Sequence, residues 1–173
     1  MGSQRLPGKS MMEVGGKPLV QHIIENQKKS KNLSRIILAT TDRDEDKPLL
    51  ELAEKLGVCG FAGSENDVLR RYKDAAEAFN LDVAIRVTGD NILVDVDAMD
   101  QTISLYLEEN PDMASNKGKQ GYPLGTGVAV FSTKLLQKLD GIAHDPDDRE
   151  HVTLHVYRHQ DKFRVLYLKA PEA

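Results

Sequence analysis

Cysteine is almost missing from this chain of 173 residues: Cys59 stands alone, so no internal disulfide can form. In its short apolar context it reads as a small buried strand residue. Long apolar runs are missing too. No stretch approaches the ~20 residues of a membrane span, and no charged-then-apolar start reads as a signal peptide. No membrane association is therefore expected, and the compartment expected is the cytoplasm. The 23 basic and 27 acidic side chains leave a net charge of −4, with no long basic run. That removes the electrostatic footprint of a nucleic-acid binder. Internal repeats, low-complexity tracts and linkers are absent as well, so residues 1–173 are expected to form one domain.

What the chain does have is the balance of a globular protein, with 40% hydrophobic and 29% charged residues. At this length folding buries roughly 70% of the unfolded surface. Apolar spacing predicts a helix at about 18–29 and a strand over 35–40, whose continuous apolar run suits a parallel strand covered on both faces. A helix over 46–56, a strand over 58–61, a helix over about 66–79 and a strand over 82–87 follow. Asp97 is placed to cap a helix running to about Glu109. A strand candidate at 113–115, a glycine-rich loop at 117–127 and a strand at 128–131 come next. A short helix at 133–139, a helix from 148 or 149 to about 159 and a strand at 164–168 complete the order. Such βα alternation predicts a doubly wound, mainly parallel sheet with ligands outside the carboxyl ends of its strands. The informative loops are then 2–10, 40–44, 88–95 and 117–127.

The first of these, Gly2-Ser3-Gln4-Arg5-Leu6-Pro7-Gly8-Lys9-Ser10, combines flexible backbone with fixed positive charge. It suits a polyphosphate, with a charged surface turn as the competing reading. It is not a Walker loop: the position that must be glycine is Ser3, and Pro7 removes an N–H from the cradle. Asp90 leaves the strand 82–87 and can share Mg²⁺ with substrate phosphates, or simply make a turn. Asp95 and Asp97 read more readily as helix-start residues. Thr40-Thr41-Asp42 ends the earlier strand, where hydroxyls and a carboxylate could meet a base or ribose, or again make a turn. His151, His155 and His159 recur every four residues and would share one helix face. They lack the adjacent glutamate and the nearby cysteine of common zinc patterns.

Together, residues 2–9, Gly16-Lys17-Pro18-Leu19, Ala39-Thr40-Thr41-Asp42, Gly63-Ser64-Glu65-Asn66-Asp67-Val68-Leu69-Arg70-Arg71-Tyr72, Arg86-Val87-Thr88-Gly89-Asp90 and Asp148-Arg149-Glu150-His151-Val152-Thr153 resemble the spore-coat polysaccharide biosynthesis protein F family. This is a branch of the cytidylyltransferases related to CMP-Kdo and CMP-acylneuraminate synthetases. The resemblance implies a Rossmann-like, three-layer α/β fold of the nucleotide-diphospho-sugar transferase type with a mainly parallel sheet. It implies transfer of CMP from CTP to a sugar or sugar acid in surface polysaccharide precursor synthesis, with release of pyrophosphate. By the same resemblance Arg5 and Lys9 hold the triphosphate, aided by the N–H groups around Gly2 and Ser3. Thr41 and Asp42 lie by the nucleoside, and Asp90 ligates Mg²⁺. Arg149, Glu150 and His151 face the sugar or a homodimer contact, with Glu150 or His151 as a candidate base.

The chain departs from that family in several ways. The family's opening motif follows an apolar strand ending in arginine, and its fold continues beyond residue 173 with a second metal-binding aspartate. The expectation is therefore a domain lacking its first strand and its C-terminal part. The Cys-Pro or Glu-Pro expected after Asp90 is Asn91-Ile92, and Ala129 stands where an acidic residue is expected. Two other classes fit less of the chain. One is a glycosyltransferase using Asp95-Val96-Asp97 as its metal motif; the other is an inactive nucleotide-binding remnant.

Overall fold

Strands and helices alternate through the chain as the apolar spacing predicts. A computed structural model describes residues 8–118, 122–123 and 125–171. The described part opens on a 3₁₀ turn, Lys9–Met11, and a small hairpin of β1 (Glu13–Val14) and β2 (Lys17–Pro18). Gly15 and Gly16 both have positive φ, 59° and 79°, which the tight two-residue turn requires. Then come α1 (Leu19–Gln27), β3 (Ile37–Thr41), α2 (Lys47–Lys55), β4 (Cys59–Gly63), α3 (Val68–Ala78) and β5 (Val83–Arg86). After them follow α4 (Val96–Glu109), β6 (Met113–Ser115), β7 (Ala129–Ser132), α5 (Thr133–Ile142), α6 (Pro146–Glu150), α7 (Leu154–Arg158) and β8 (Val165–Tyr167).

Among the described residues β3 pairs with β4 in parallel, and a separate four-stranded sheet runs β5-β7-β6-β8. Strand β7 runs against β5 and β6, whereas β6 and β8 are parallel. Side chains alternate across this sheet, as period-2 geometry demands. Ala84, Phe131 and Met113 face α3, α5 and α7; Val130 and Ala114 face α4 with Met99 and Ile103. A third core sits between α1 and α2 around Val20, Ile24, Leu49 and Leu52.

Strands β3 and β5 line one cavity of about 1350 Å³. Arg35 Nη1 donates to the Phe79 carbonyl at 3.2 Å, tying the start of β3 to the start of β5. Ser10 lies beside Gly89, just past the end of β5. Both strands therefore deliver their carboxyl ends to the same side of the cavity, where the sequence places its informative loops.

Two sequence expectations change. The helix expected over 148–159 is two short helices separated by Val152, whose φ of 51° is left-handed. A fully buried β-branched residue there is a strained position. The break dissolves the common histidine face: His155 and His159 stack at 4.2 Å, while His151 turns towards the cavity. At the start of α4 the cap is Asp95 rather than Asp97, its carboxylate accepting from the Ala98 N–H at 3.0 Å.

Candidate active site

Gly2, Ser3 and Arg5 lie outside the described residues; of the opening loop Gly8, Lys9 and Ser10 are described, and Lys9 carries its charge. Its ammonium donates to Asp90 Oδ2 at 2.8 Å, and the Thr88 hydroxyl donates to Asp90 Oδ1 at 2.6 Å. Two elements 81 positions apart thus meet at the end of β5. The hydrogen bond from Lys9, then that from Thr88, holds the Asp90 carboxyl below the usual carboxylate range. It is therefore anionic at neutral pH. With its side chain half exposed, it remains open to a ligand.

Thr40 and Thr41 line the cavity at the end of β3. Both hydroxyls donate to Asp46, at 2.7 and 2.6 Å, and the Thr41 N–H donates to it at 3.2 Å. Asp46 is only 1% exposed. Burial alone would raise its pKa, but hydrogen bonding to the carboxylate, to which Thr41 and Thr40 contribute, outweighs it and holds the carboxyl far below the ordinary range. Asp42 is exposed, and its N–H donates to the Gly63 carbonyl. Thr41 is thus fixed on the cavity wall from below, while Asp42 continues the chain away from β3.

Arg149, Glu150 and His151 also line the cavity. Glu150 and His151 are exposed; Arg149 is committed to the protein. Its Nε donates to both oxygens of Asp67 at 3.0 Å, and Nη1 donates to the carbonyls of Asp140 and Ala143 at 3.1 and 3.3 Å. Nη2 donates to Asp67 and to Asp140 Oδ1. All five N–H groups of the guanidinium are therefore used. Burial opposes the charge, but the Asp67 and Asp140 bonds raise the Arg149 pKa above its ordinary value. Since Asp67 also caps α3, this knot fixes α3, α5 and α6 to one another and so places Glu150 and His151.

Residues 1–172 match the family model described as cytidylyltransferase. The chain belongs to the cytidylyltransferase family. It is 34% identical over 177 residues to the spore coat polysaccharide biosynthesis protein SpsF of Bacillus subtilis, covering 99% of this chain and 72% of that one. It is 30% identical over 171 residues to an 8-amino-3,8-dideoxy-manno-octulosonate cytidylyltransferase of a Shewanella species, covering 91% and 68%. A solved cytidylyltransferase from Leptospira borgpetersenii superposes with a TM-score of 0.94 at 33% identity, covering 99% of this chain and 73% of that one. The protein is accordingly a nucleotidyltransferase of Rossmann-like α/β fold. The glycosyltransferase reading loses its metal motif, because Asp95 serves as a helix cap.

Sequence reasoning alone passes over four charged residues at or near the ends of these strands, three of which line the cavity. Asp46 hides at the start of the helix expected over 46–56, where an acidic residue needs no further role. Arg71 lines the cavity, its Nε buried and without a partner among the described residues, and burial lowers its pKa. Arg86 and Lys117 are the others. A charged residue closing the apolar strand 83–86 is the signal that could have found Arg86.

Proposed function

We propose that this cytidylyltransferase joins CMP from CTP to a sugar or sugar acid, using Mg²⁺, in the synthesis of surface polysaccharide precursors. An acceptor hydroxyl oxygen forms a bond to the α-phosphorus, the bond from that phosphorus to the bridging oxygen breaks, and pyrophosphate leaves. The hydroxyl proton passes to solvent or to Glu150 or His151, which face the cavity. The meeting of Lys9 and Asp90 at the end of β5 is the observation that carries this reading. A cation and a carboxylate so placed suit a nucleotide triphosphate and its metal.

Among the described residues no three His, Cys, Asp or Glu side chains converge on a metal position. Asp90 fits Mg²⁺ as a single carboxylate ligand, a common arrangement when substrate phosphates and water complete the octahedron. When bound, such an ion supplies charge neutralisation to the phosphate oxygens. The protein's own work is positioning. Lys9, with Arg5 and the N–H groups around Gly2 and Ser3, grips the triphosphate, and Thr41 and Asp42 orient the nucleoside. The gain comes from alignment and preorganised charge rather than from a covalent intermediate. Among the described residues no helix is long and apolar enough to cross a membrane, and we place the reaction in the cytoplasm, where CTP is found.

The test is pyrophosphate release with each of the four nucleoside triphosphates against a panel of sugar acids that includes 3-deoxy-manno-octulosonate. Selective turnover of CTP is expected. Binding of CTP with no turnover on any acceptor would favour the nucleotide-binding remnant, and turnover of another nucleotide would refute the cytidylyl assignment.

A further inference from the structure

Val152 separates two helices of five residues each, α6 and α7, too short to persist on helix propensity alone. Its φ of 51° is an outlier for a β-branched residue, yet it is fully buried in the core that holds Val156 and Phe163. The Thr153 N–H donates to the His151 carbonyl two residues back, closing a three-residue turn around Val152. The Thr153 hydroxyl donates to the same carbonyl at 3.4 Å. A strained backbone of this kind persists only where its surroundings over-determine it. Apolar burial of Val152 is one such constraint.

A buried carboxylate supplies another. Asp148 on α6 is 3% exposed, and both of its oxygens are met from α7. His155 Nδ1 donates to Oδ2 at 2.8 Å, and Arg158 Nη1 donates to Oδ1 at 2.8 Å. Arg158 also reaches Asp145 and Asp147 at the start of α6, at 3.4 and 3.2 Å. The His155 ring is itself fixed, stacked on His159 and edge-on to buried Phe163 at 6.1 Å. These bonds are incompatible with one continuous helix. There, at about 1.5 Å per residue, Asp148 and His155 would stand about 10 Å apart along the axis, and Asp148 and Arg158 about 15 Å. His151, four residues before His155, would also share its face instead of lining the cavity. The Asp148 bonds therefore form only when the chain breaks at Val152.

We infer that Asp148 is a positioning residue for the transfer: clasped by His155 and Arg158, it closes α6 onto α7 across the left-handed Val152 and so aims Glu150 and His151 into the cavity. The inference rests on the nucleotidyl transfer proposed above and adds what holds its acceptor side in place. Two neighbouring residues divide the work. Arg149 ties α6 to α3 and α5, and Asp148 ties it to α7, leaving the next two side chains free to face substrate. Asp148 and His155 do not themselves line the cavity, so they act through Glu150 and His151. The proposed triphosphate grip comes from the opening loop and the end of β5, outside this clasp.

The test takes the full chain with CTP, magnesium and 3-deoxy-manno-octulosonate, or whichever sugar acid of the panel above it turns over. Turnover is followed by pyrophosphate release, CTP affinity by calorimetry and folding by thermal melts. Asp148→Asn is expected to lower kcat/KM for the acceptor at least tenfold while CTP affinity moves less than twofold. In a chain already carrying Glu150→Gln and His151→Asn, the same substitution is expected to change turnover less than twofold, because it acts through those two residues. Since Asp148→Asn could unfold the chain, His155→Leu and His155→Gln are measured beside it. The leucine is expected to lose as much as Asp148→Asn, and the glutamine, which keeps an N–H for Asp148, to stay within threefold of the unaltered chain. A folded Asp148→Asn with unchanged turnover, an equal loss of CTP affinity, an undiminished effect in the doubly substituted chain, or a glutamine no better than leucine overturns the inference. If the unaltered chain turns over no sugar acid, the parent reading fails instead. The clasp is then decided by the His151 imidazole ¹⁵N resonance: displaced by His155→Leu but not by His155→Gln supports it, and the same position in all three chains overturns it.

Discussion

Arg149 and Arg86 are both arginines beside α3, and the protein treats them in opposite ways. Arg149 places every donor on protein acceptors, gripping the cap residue of α3, a carboxylate of α5 and two carbonyls. Among the described residues Arg86 places none, although its Nε is buried. The first arrangement makes structure, because a satisfied charge in a partly buried place locks the elements that satisfy it. The second leaves a buried donor open, and an unsatisfied charge gains most when an acceptor arrives. Lys9 and Asp90 fall between: paired with each other, yet exposed enough for the pair to be exchanged for substrate.

The contrast breaks most sharply on stability. Arg149→Met leaves Asp67 without its cation and Asp140 with Lys73 alone, and should cost about 3 kcal/mol, the low end of the range for breaking a buried ion network. At about 2–4 °C per kcal/mol for a chain of this size, Tm should fall by roughly 10 °C. Arg86→Met removes an unpaired cation and should leave the melting temperature unchanged or raise it. Equal losses in the two variants would erase the distinction between structural and receptive arginines. Next in size is Asp90→Asn. Turnover should fall about 100-fold or more, as for removal of one preorganised electrostatic group, while stability moves by less than about 0.5 kcal/mol, as expected of an exposed pair. A melting temperature that falls with activity would make the Lys9–Asp90 pair structural.

The sequence pattern makes the elements legible because strands and helices here bury regular faces: the apolar run at 36–40 and the helical spacing at 68–79 reappear as β3 and α3. Thr41 and Asp90 are legible as strand-end residues for the same reason. What is not legible depends on partners far along the chain. Whether Arg149 is free or used turns on Asp67, 82 positions away, and whether Arg86 is paired turns on residue 129. The α6–α7 break is hidden because Val152 does not look like a turn residue; only the tertiary packing that buries it forces a left-handed backbone. Asp95 and Asp97 are both plausible caps by composition, and the single hydrogen bond to Ala98 decides between them.

Asp46 sharpens the comparison at the smallest scale, since it is a satisfied charge placed inside the receptive region. Its carboxylate holds both hydroxyls of Thr40 and Thr41 and the Thr41 N–H, so it fixes the end of β3, where we place the nucleoside, while itself staying buried. Asp46→Asn keeps the shape and removes the charge, which should cost about 1–2 kcal/mol at neutral pH. The pH dependence gives the sign. The folded carboxyl is held below its unfolded value, so its contribution is complete above the ordinary carboxylate pKa of about 4 and is lost as pH falls below it, through the depressed folded value. Urea unfolding of the two proteins at pH 7, 4 and 3 should show a stability gap that narrows on the acid side. Asp90 and Asp140, whose pKa values are also lowered, weaken both proteins in that range and cancel in the difference. A gap that stays constant would mean that Asp46 acts through its hydrogen-bonding shape alone. The charge would then belong to neither class, and Thr41 would be held as firmly by a neutral amide.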